Sequence, residues 1–459
     1  MMQKETKTIL QKTVRLAIPM MVQQAITNAV GLVDNIMVGS LGTEPMTGVA
    51  IANQLLFVFS LAVFGALAGP GIYGAQYYGS GNTEGVRQTF RFKILTALVL
   101  TVLGSTVFFL GGEGLLSLYL KGENAVLDPM LTKAYGRQYQ LIMIVGLLPF
   151  ALTQCYAGTL RETGETMKPM VAGIVSVIVD VVLNYLLIYG KCGFPQMGVQ
   201  GAAVATVIAR LAEFATLIVW SHAQMRKYPF LQGIYRQFHI PAALARRMFF
   251  KGLPIFVNEF LWSSGIAALT QCYSYKGLDV VAAINISNAI CNLMNVSFVA
   301  LGNAVGVITG QYLGSGRMAL AEKASVVLMR FTALVSTVFA LVLIGISFPF
   351  PTFYKTTEEV RDLARQFIMA TALFFPLQGY LNAIYFTLRS GGKTFITFLF
   401  DSGYNWVVSV PVAWLLCHRT ALPVIVVYLI IQALDMIKTT IGRIMIGKKV
   451  WMDRLVEGE

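Results

Sequence analysis

Two aspartates sit where a charge is expensive. Asp34 and Asp180 each lie inside a long apolar run of a 459-residue chain, and Asn184 follows Asp180 by one helical turn, on the same face. An ionised side chain at the centre of a bilayer costs from about 2.5 to more than 10 kcal/mol, so such groups are kept to bind something or are paired. Two carboxylates in one water-poor cavity can share a proton or hold a cation between their oxygens. The plainer role for either is to accept hydrogen bonds from backbone or hydroxyl groups.

A second set lies in the other half of the chain. Glu259 falls about a third of the way into its apolar run, where it would act as a second protonation site or meet a cationic substrate. Farther on, Asn285, Asn288, Asn292 and Asn295 share one helical stripe. Amides do not face lipid cheaply, so the stripe lines a wet cavity or bonds to a neighbouring helix. Asn288 and Asn292 are the candidates there for a substrate or second coupling site. Arg210 and Glu213, three apart, read as an intrahelical ion pair, while Asp401, Asp435 and Lys438 read as close enough to inner helix ends to reach water.

Much chemistry is excluded. Gly392-Lys393-Thr394 is the nearest approach to a phosphate loop, but Thr387 stands where the first glycine is needed. Three scattered histidines and five cysteines without a C-x-x-C pair argue against haem, zinc or a disulfide framework. No cluster of carboxylates or histidines suits a membrane enzyme. The expectation is a non-enzyme without a cofactor, driven by H⁺ or Na⁺ as coupling ion.

The elements that carry these residues follow from composition. Hydrophobic residues make up 56% of the chain and charged residues 12%, about half the usual charged fraction of a soluble protein. Twelve apolar runs are long enough to cross a bilayer, among them 14–38, 134–157, 170–189, 250–273 and 395–416. Most Lys and Arg fall at one set of ends, which accounts for the net charge of +13 as a topological signal rather than a nucleic-acid footprint. It places both termini in the cytoplasm and the protein in the plasma membrane.

The chain also repeats itself. Gln76-Tyr77-Tyr78-Gly79-Ser80-Gly81 returns as Gln311-Tyr312-Leu313-Gly314-Ser315-Gly316, and the same offset relates Pro19 to Pro254, Gly42 to Gly277 and Asn53 to Asn288. Thr159-Leu160-Arg161 with Gly164 returns as Thr387-Leu388-Arg389 with Gly392 at a slightly shorter offset. Six helices per half is an even number, so the halves enter the membrane in the same sense. The fold class is an all-α polytopic membrane protein: twelve transmembrane helices in two six-helix lobes related by a parallel internal repeat. The expected boundaries are an N-terminal lobe over 1–222, a cytoplasmic linker over 223–249, and a C-terminal lobe with a short tail over 250–459. Such repeats place the substrate between halves that move against each other.

Several stretches resemble multidrug and toxic compound extrusion (MATE) transporters. Pro19 followed by Val33-Asp34-Asn35-Ile36-Met37-Val38-Gly39-Ser40-Leu41-Gly42 is similar to their first helix. Met197-Gly198-Val199-Gln200-Gly201-Ala202-Ala203-Val204-Ala205-Thr206 resembles the entry to their sixth. The two Leu-Arg-x-x-Gly ends, and Leu253-Pro254 through Asn258-Glu259, extend the likeness along the whole chain. The resemblance implies an antiporter exporting amphipathic, often cationic compounds in exchange for protons or sodium. It matches Asp34 to the family's first-helix aspartate and Thr206 to the threonine near its ion site. On the fifth helix the common order, Asn then Asp, is reversed here as Asp180 then Asn184. The tenth-helix carboxylate of another branch has no counterpart in Pro376-Leu377-Gln378-Gly379-Tyr380-Leu381-Asn382. This favours coupling in the first half, with Glu259 as support. The partners expected are small amphipathic organic substrates and the lipid bilayer, with no nucleic acid and a monomeric state. The alternative is a flippase or exporter of lipid-linked or polysaccharide precursors from the same superfamily, which would need a basic cavity rather than these acids.

Overall fold

Proline and glycine punctuate the apolar runs, and the computed structural model, which describes residues 2–120, 128–236 and 238–456, turns that punctuation into helix ends and bends. In chain order the first seven helices are α1 (Met2–Gly39), α2 (Thr43–Ser80), α3 (Thr83–Tyr119), α4 (Pro129–Met143), α5 (Leu147–Glu162), α6 (Met167–Tyr189) and α7 (Gly198–Ala223). They are followed by α8 (Ala242–Ser274), α9 (Leu278–Gly314), α10 (Met318–Ser347), α11 (Glu358–Ser390), α12 (Thr394–Phe398), α13 (Val410–Arg419) and α14 (Val424–Gly447). Among the described residues, ten of these are each long and apolar enough to span a bilayer, and the bent pair α4–α5 makes an eleventh.

Two predicted crossings are not plain α-helices, and both irregularities serve polar residues. The run 134–157 bends by 52° between α4 and α5. Pro149 lacks the N–H that would bond the carbonyl of Val145, and Gly146 tolerates the break. The buried Gly146 carbonyl, beside that break, accepts from Arg210 Nη1 at 3.2 Å. The run 395–416 is helical from 394 to 419, but Leu399–Gly403 and Asn405–Ser409 are π-helical turns between α12 and α13. A π-turn widens the helix, and such turns favour functional positions. Here they bring successive pairs of residues toward α8. Asp401 and Ser402 meet Asn258, and one turn on, Trp406 Nε1 donates to the Leu261 carbonyl at 2.8 Å. Gly265 leaves room for the Asn405 amide, which a Cβ there would overlap.

The chain divides into two compact units. One comprises 22–74 and 83–248; the other comprises 1–21, 75–82 and 249–459. In the first unit, α6 and α7 form a tight antiparallel pair. Gly190 ends α6 in the left-handed conformation at φ 65°, a position that favours glycine, and the Met197 amide then bonds back to Leu187. The buried small residues Gly201, Ala202, Ala203 and Ala205 let α7 approach closely, and a Cβ on Gly201 would come within 2.7 Å of the Leu187 carbonyl. This unit also carries the connection that follows α7. Arg87 Nη2 and Nε donate to the carbonyls of Pro229 and Phe230 at 3.1 and 3.2 Å, and Arg91 Nε to that of Ile234 at 3.0 Å. Lys227 pairs with Glu165 at 2.7 Å. Burial pushes the Glu165 carboxyl up, but hydrogen bonds from Lys227 and Tyr228 outweigh it and hold the group below its ordinary value.

In the second unit the buried side chains Ile9, Leu16, Leu301, Val305, Leu328, Leu388 and Trp451 form a continuous apolar core. The repeated Gln-Tyr-x-Gly motifs meet here, at the ends of α2 and α9. A Cβ on Gly79 would overlap the Gln311 carbonyl, and one on Gly314 would overlap that of Gln76. The repeat therefore marks a reciprocal backbone crossing, which is a packing reason for glycine at both places.

Candidate functional site

The tight α6–α7 pair sets one polar centre. Asp180 and Asn184, one turn apart on α6, are both buried, with relative exposures of 6% and 1%. Asn184 Nδ2 donates to Asp34 Oδ1 at 2.8 Å, tying α6 to the last turns of α1. Asp180 has Asp34, Thr206 and Arg210 as its polar neighbours. The structure thus brings together all four residues expected to bind a coupling ion. Thr206 Oγ1 also returns a hydrogen bond to the Ala202 carbonyl at 3.1 Å. Asp180 Oδ1 and Asn184 Oδ1 are buried yet receive no donor from any described residue. Buried acceptors are normally satisfied, so two orphaned oxygens beside a second carboxylate make a set that a proton or a small cation fits. Tyr139 on α4, which sequence reasoning missed, is buried against the same group, with Thr206, Arg210, Asp180 and Asp34 around it.

Arg210 and Glu213 do not form the expected intrahelical ion pair: no such contact within 4 Å occurs among the described residues. Arg210 turns to the Gly146 carbonyl and lies over the Phe150 ring at 5.1 Å. That carbonyl, at the bend between α4 and α5, also accepts from the Phe150 amide at 3.3 Å, so Arg210 shares it.

The second unit holds a different centre. Lys438 Nζ on α14 meets Asp401 Oδ1 at 3.0 Å, and Asn258 Nδ2 donates to Asp401 Oδ2 at 3.1 Å. Asn258 Oδ1 in turn accepts from Ser402 Oγ at 2.7 Å. Lys438 is buried at 8% exposure, which corrects the expectation that it reaches water; the α11–α14 packing that encloses it is invisible in a single helix's sequence. Glu259 is electrostatically next to Arg389 and Asp401. Beyond it a polar chain links α11 and α14: Gln378 Nε2 donates to Asp435 Oδ2 at 2.6 Å and to Gln432 Oε1 at 3.2 Å, and Gln432 Nε2 donates to the Tyr428 hydroxyl at 3.0 Å. Asn288 and Asn292 stand apart from this centre, exposed on α9, with no side-chain hydrogen bond among the described residues.

The MatE family's sequence model matches residues 19–186 and 254–415, most of the chain and one stretch in each half. This chain belongs to the MatE family. The Bacillus subtilis protein named probable multidrug resistance protein YoeA is 26% identical over 93% of this chain and 91% of its own length. The Thermotoga maritima protein named probable multidrug resistance protein NorM is 23% identical, covering 90% and 86%. A solved outward-facing multidrug resistance MATE transporter of the MOP superfamily superposes with a TM-score of 0.85 at 18% identity over 95% of this chain and 96% of that one. A MOP superfamily transporter from Pyrococcus furiosus, whose binding pocket is described as of reversed polarity, gives 0.81 at 18% over 95% of each. These likenesses establish the fold: a MATE protein has twelve helices in two six-helix lobes built on a parallel repeat. The chain is a multi-pass membrane transporter, not an enzyme.

Proposed function

We propose that this MATE protein exports amphipathic, cationic organic compounds across the plasma membrane in exchange for H⁺ or Na⁺. The observation that carries the reading is the α1–α6 centre: a buried Asp180 beside Asp34, with orphaned oxygens on Asp180 and Asn184 and no ammonium or guanidinium within ion-pair distance of either carboxylate among the described residues. Two relatives are named probable multidrug resistance proteins, which supports small organic substrates, and the cationic preference rests on the acids of this centre. The sequence's lobe boundaries, 1–222 and 250–459 joined by the linker 223–249, are the bodies expected to move, with both termini cytoplasmic and the protein acting as a monomer.

In this mechanism a proton or sodium ion enters the Asp34–Asp180 pair when the centre faces outward. Its charge removes the like-charge contact between the carboxylates and lets Asn184 and Thr206 close around it. Release on the cytoplasmic side restores the anionic pair, which then favours a cationic cargo. Alternating access follows because occupied and empty centres stabilise different conformations; the ligand shifts the balance only by its differential affinity for the two. Glu259 provides an accessory acid in the second unit. The acidity of the α1–α6 centre suits cationic cargo rather than a polyanionic lipid-linked precursor.

The test is transport by purified protein in liposomes, with proton and sodium gradients imposed separately. Export of a cationic dye should follow at least one gradient. Dye movement indifferent to both would overturn the antiporter reading.

A further inference from the structure

We propose that Lys438 is a tethered counter-cation: its ammonium occupies, beside Asp401, the place that an exchangeable cation would otherwise take in the polar centre of the second unit. Lys438 is buried at 8% exposure, its Nζ is 3.0 Å from Asp401 Oδ1, and it lies over the Phe400 ring at 5.4 Å from the centroid. Asp401 Oδ2 is taken by the Asn258 amide at 3.1 Å, itself fixed by Ser402, so the carboxylate is held from both sides. Asp435 is the next acid along α14 to feel the same ammonium. The π-turns aim Asp401 and Ser402 together at α8 and so build the centre.

The internal repeat explains why only one half has this pair. At the offset relating Arg161 to Arg389, Arg210 corresponds to Lys438, and Gly173 to Asp401. At the offset relating Gln76 to Gln311, Gln23 corresponds to Asn258. These equivalences hold in space: Gln23 packs on Gly173, where a Cβ would lie 3.1 Å from its Nε2, as Asn258 contacts Asp401. In the first unit the cation position is filled but the acid opposite it is missing, and Arg210 goes to a backbone carbonyl instead. In the second unit acid and cation occur together. The counterparts of Asp34 and Asp180, Leu269 and Val408, are apolar. Asp401 is therefore neutralised by the chain itself, and this carboxylate exchanges no monovalent cation.

Sodium-22 binding to the purified full-length protein in detergent tests this. Lys438→Met removes the tethered ammonium, and about one additional Na⁺ per chain should bind compared with the wild type. Lys438→Arg should show no gain, and Lys438→Met combined with Asp401→Asn should lose it. Asp401→Asn alone should leave the number of bound cations at the wild-type value, a result that can be read even where Lys438→Met folds poorly. A folded Lys438→Met protein without the extra site would overturn the proposal, as would cation binding lost in Asp401→Asn. The readout does not involve transport, so neither outcome bears on coupling at Asp34 and Asp180.

Discussion

The two polar centres sit at different levels of the same repeat, Asp401 answering to Gly173 rather than to Asp180, and they treat a carboxylate inside an apolar run differently. In the first unit Asp180 faces Asp34, an amide and a hydroxyl, with no cationic side chain in ion-pair contact among the described residues, and in the proposed mechanism its charge is met by an exchangeable ion. In the second, Asp401 is bonded to Lys438 and Asn258, and its charge is balanced by the chain. A buried ion pair is weak evidence for stability, because desolvating two charges offsets most of their attraction; what it does fix is which groups are free to titrate or bind. The comparison teaches that a duplicated fold can keep its helix packing in both halves and place a self-neutralised carboxylate in only one of them.

The comparison breaks most sharply at the acid pair. Asp180→Asn should lower gradient-driven export by about two orders of magnitude while expression and folding persist, since a neutral amide is easier to bury than a carboxylate; dye transport in liposomes beside size-exclusion profiles checks both. The next effect is on stability. Lys438→Met should destabilise the protein by about 3 kcal/mol by leaving Asp401 unpaired, and adding Asp401→Asn should restore most of it. Thermal unfolding of the two singles and the double measures that coupling, and additive losses would show that the pair is not interacting.

A smaller effect is expected from exchanging Asp180 and Asn184. Asn184 already reaches Asp34, so Asp180→Asn with Asn184→Asp rebuilds a carboxylate pair one turn along the same helix face. Export should return to within about tenfold of wild type; no recovery would mean that Asp180 is needed at its own level. The smallest effect concerns the connection after α7. Glu165 is held below its ordinary value, so the Lys227 contact is fully present above the unfolded glutamate range and is lost only as pH falls through the lowered folded value. Protection factors against hydrogen exchange at residues 227–236 should stay high at neutral pH and fall only once the pH drops below the ordinary glutamate range.

How much of this could be read beforehand divides along the same line. Helical class, the number of crossings and the repeat follow from hydropathy and from the two Gln-Tyr-x-Gly motifs, because lipid permits few alternatives for a spanning segment. Asp34, Asp180 and Asn184 were legible because charge in an apolar run is conspicuous and i, i+4 spacing fixes a face, while Thr206 came only from the resemblance to the family. Tyr139 and Asn258 were not, since a single tyrosine or asparagine in a helix carries no signal until a partner helix is placed beside it. The Asp401–Lys438 pair was hidden by separation along the chain and by the π-turns, which alter the face that Asp401 presents. Arg210 was misassigned for a related reason: its acceptor is a carbonyl at the bend between α4 and α5, which only the packed structure places beside it.

The central claim is that the exchangeable ion binds at Asp34 and Asp180 and not at Asp401. Gradient-driven export of a cationic dye from proteoliposomes, compared among wild type, Asp180→Asn and Asp401→Asn, tests it most directly. The account predicts that Asp180→Asn loses its response to the imposed gradient while Asp401→Asn still responds. A gradient response kept by Asp180→Asn and abolished by Asp401→Asn would contradict it.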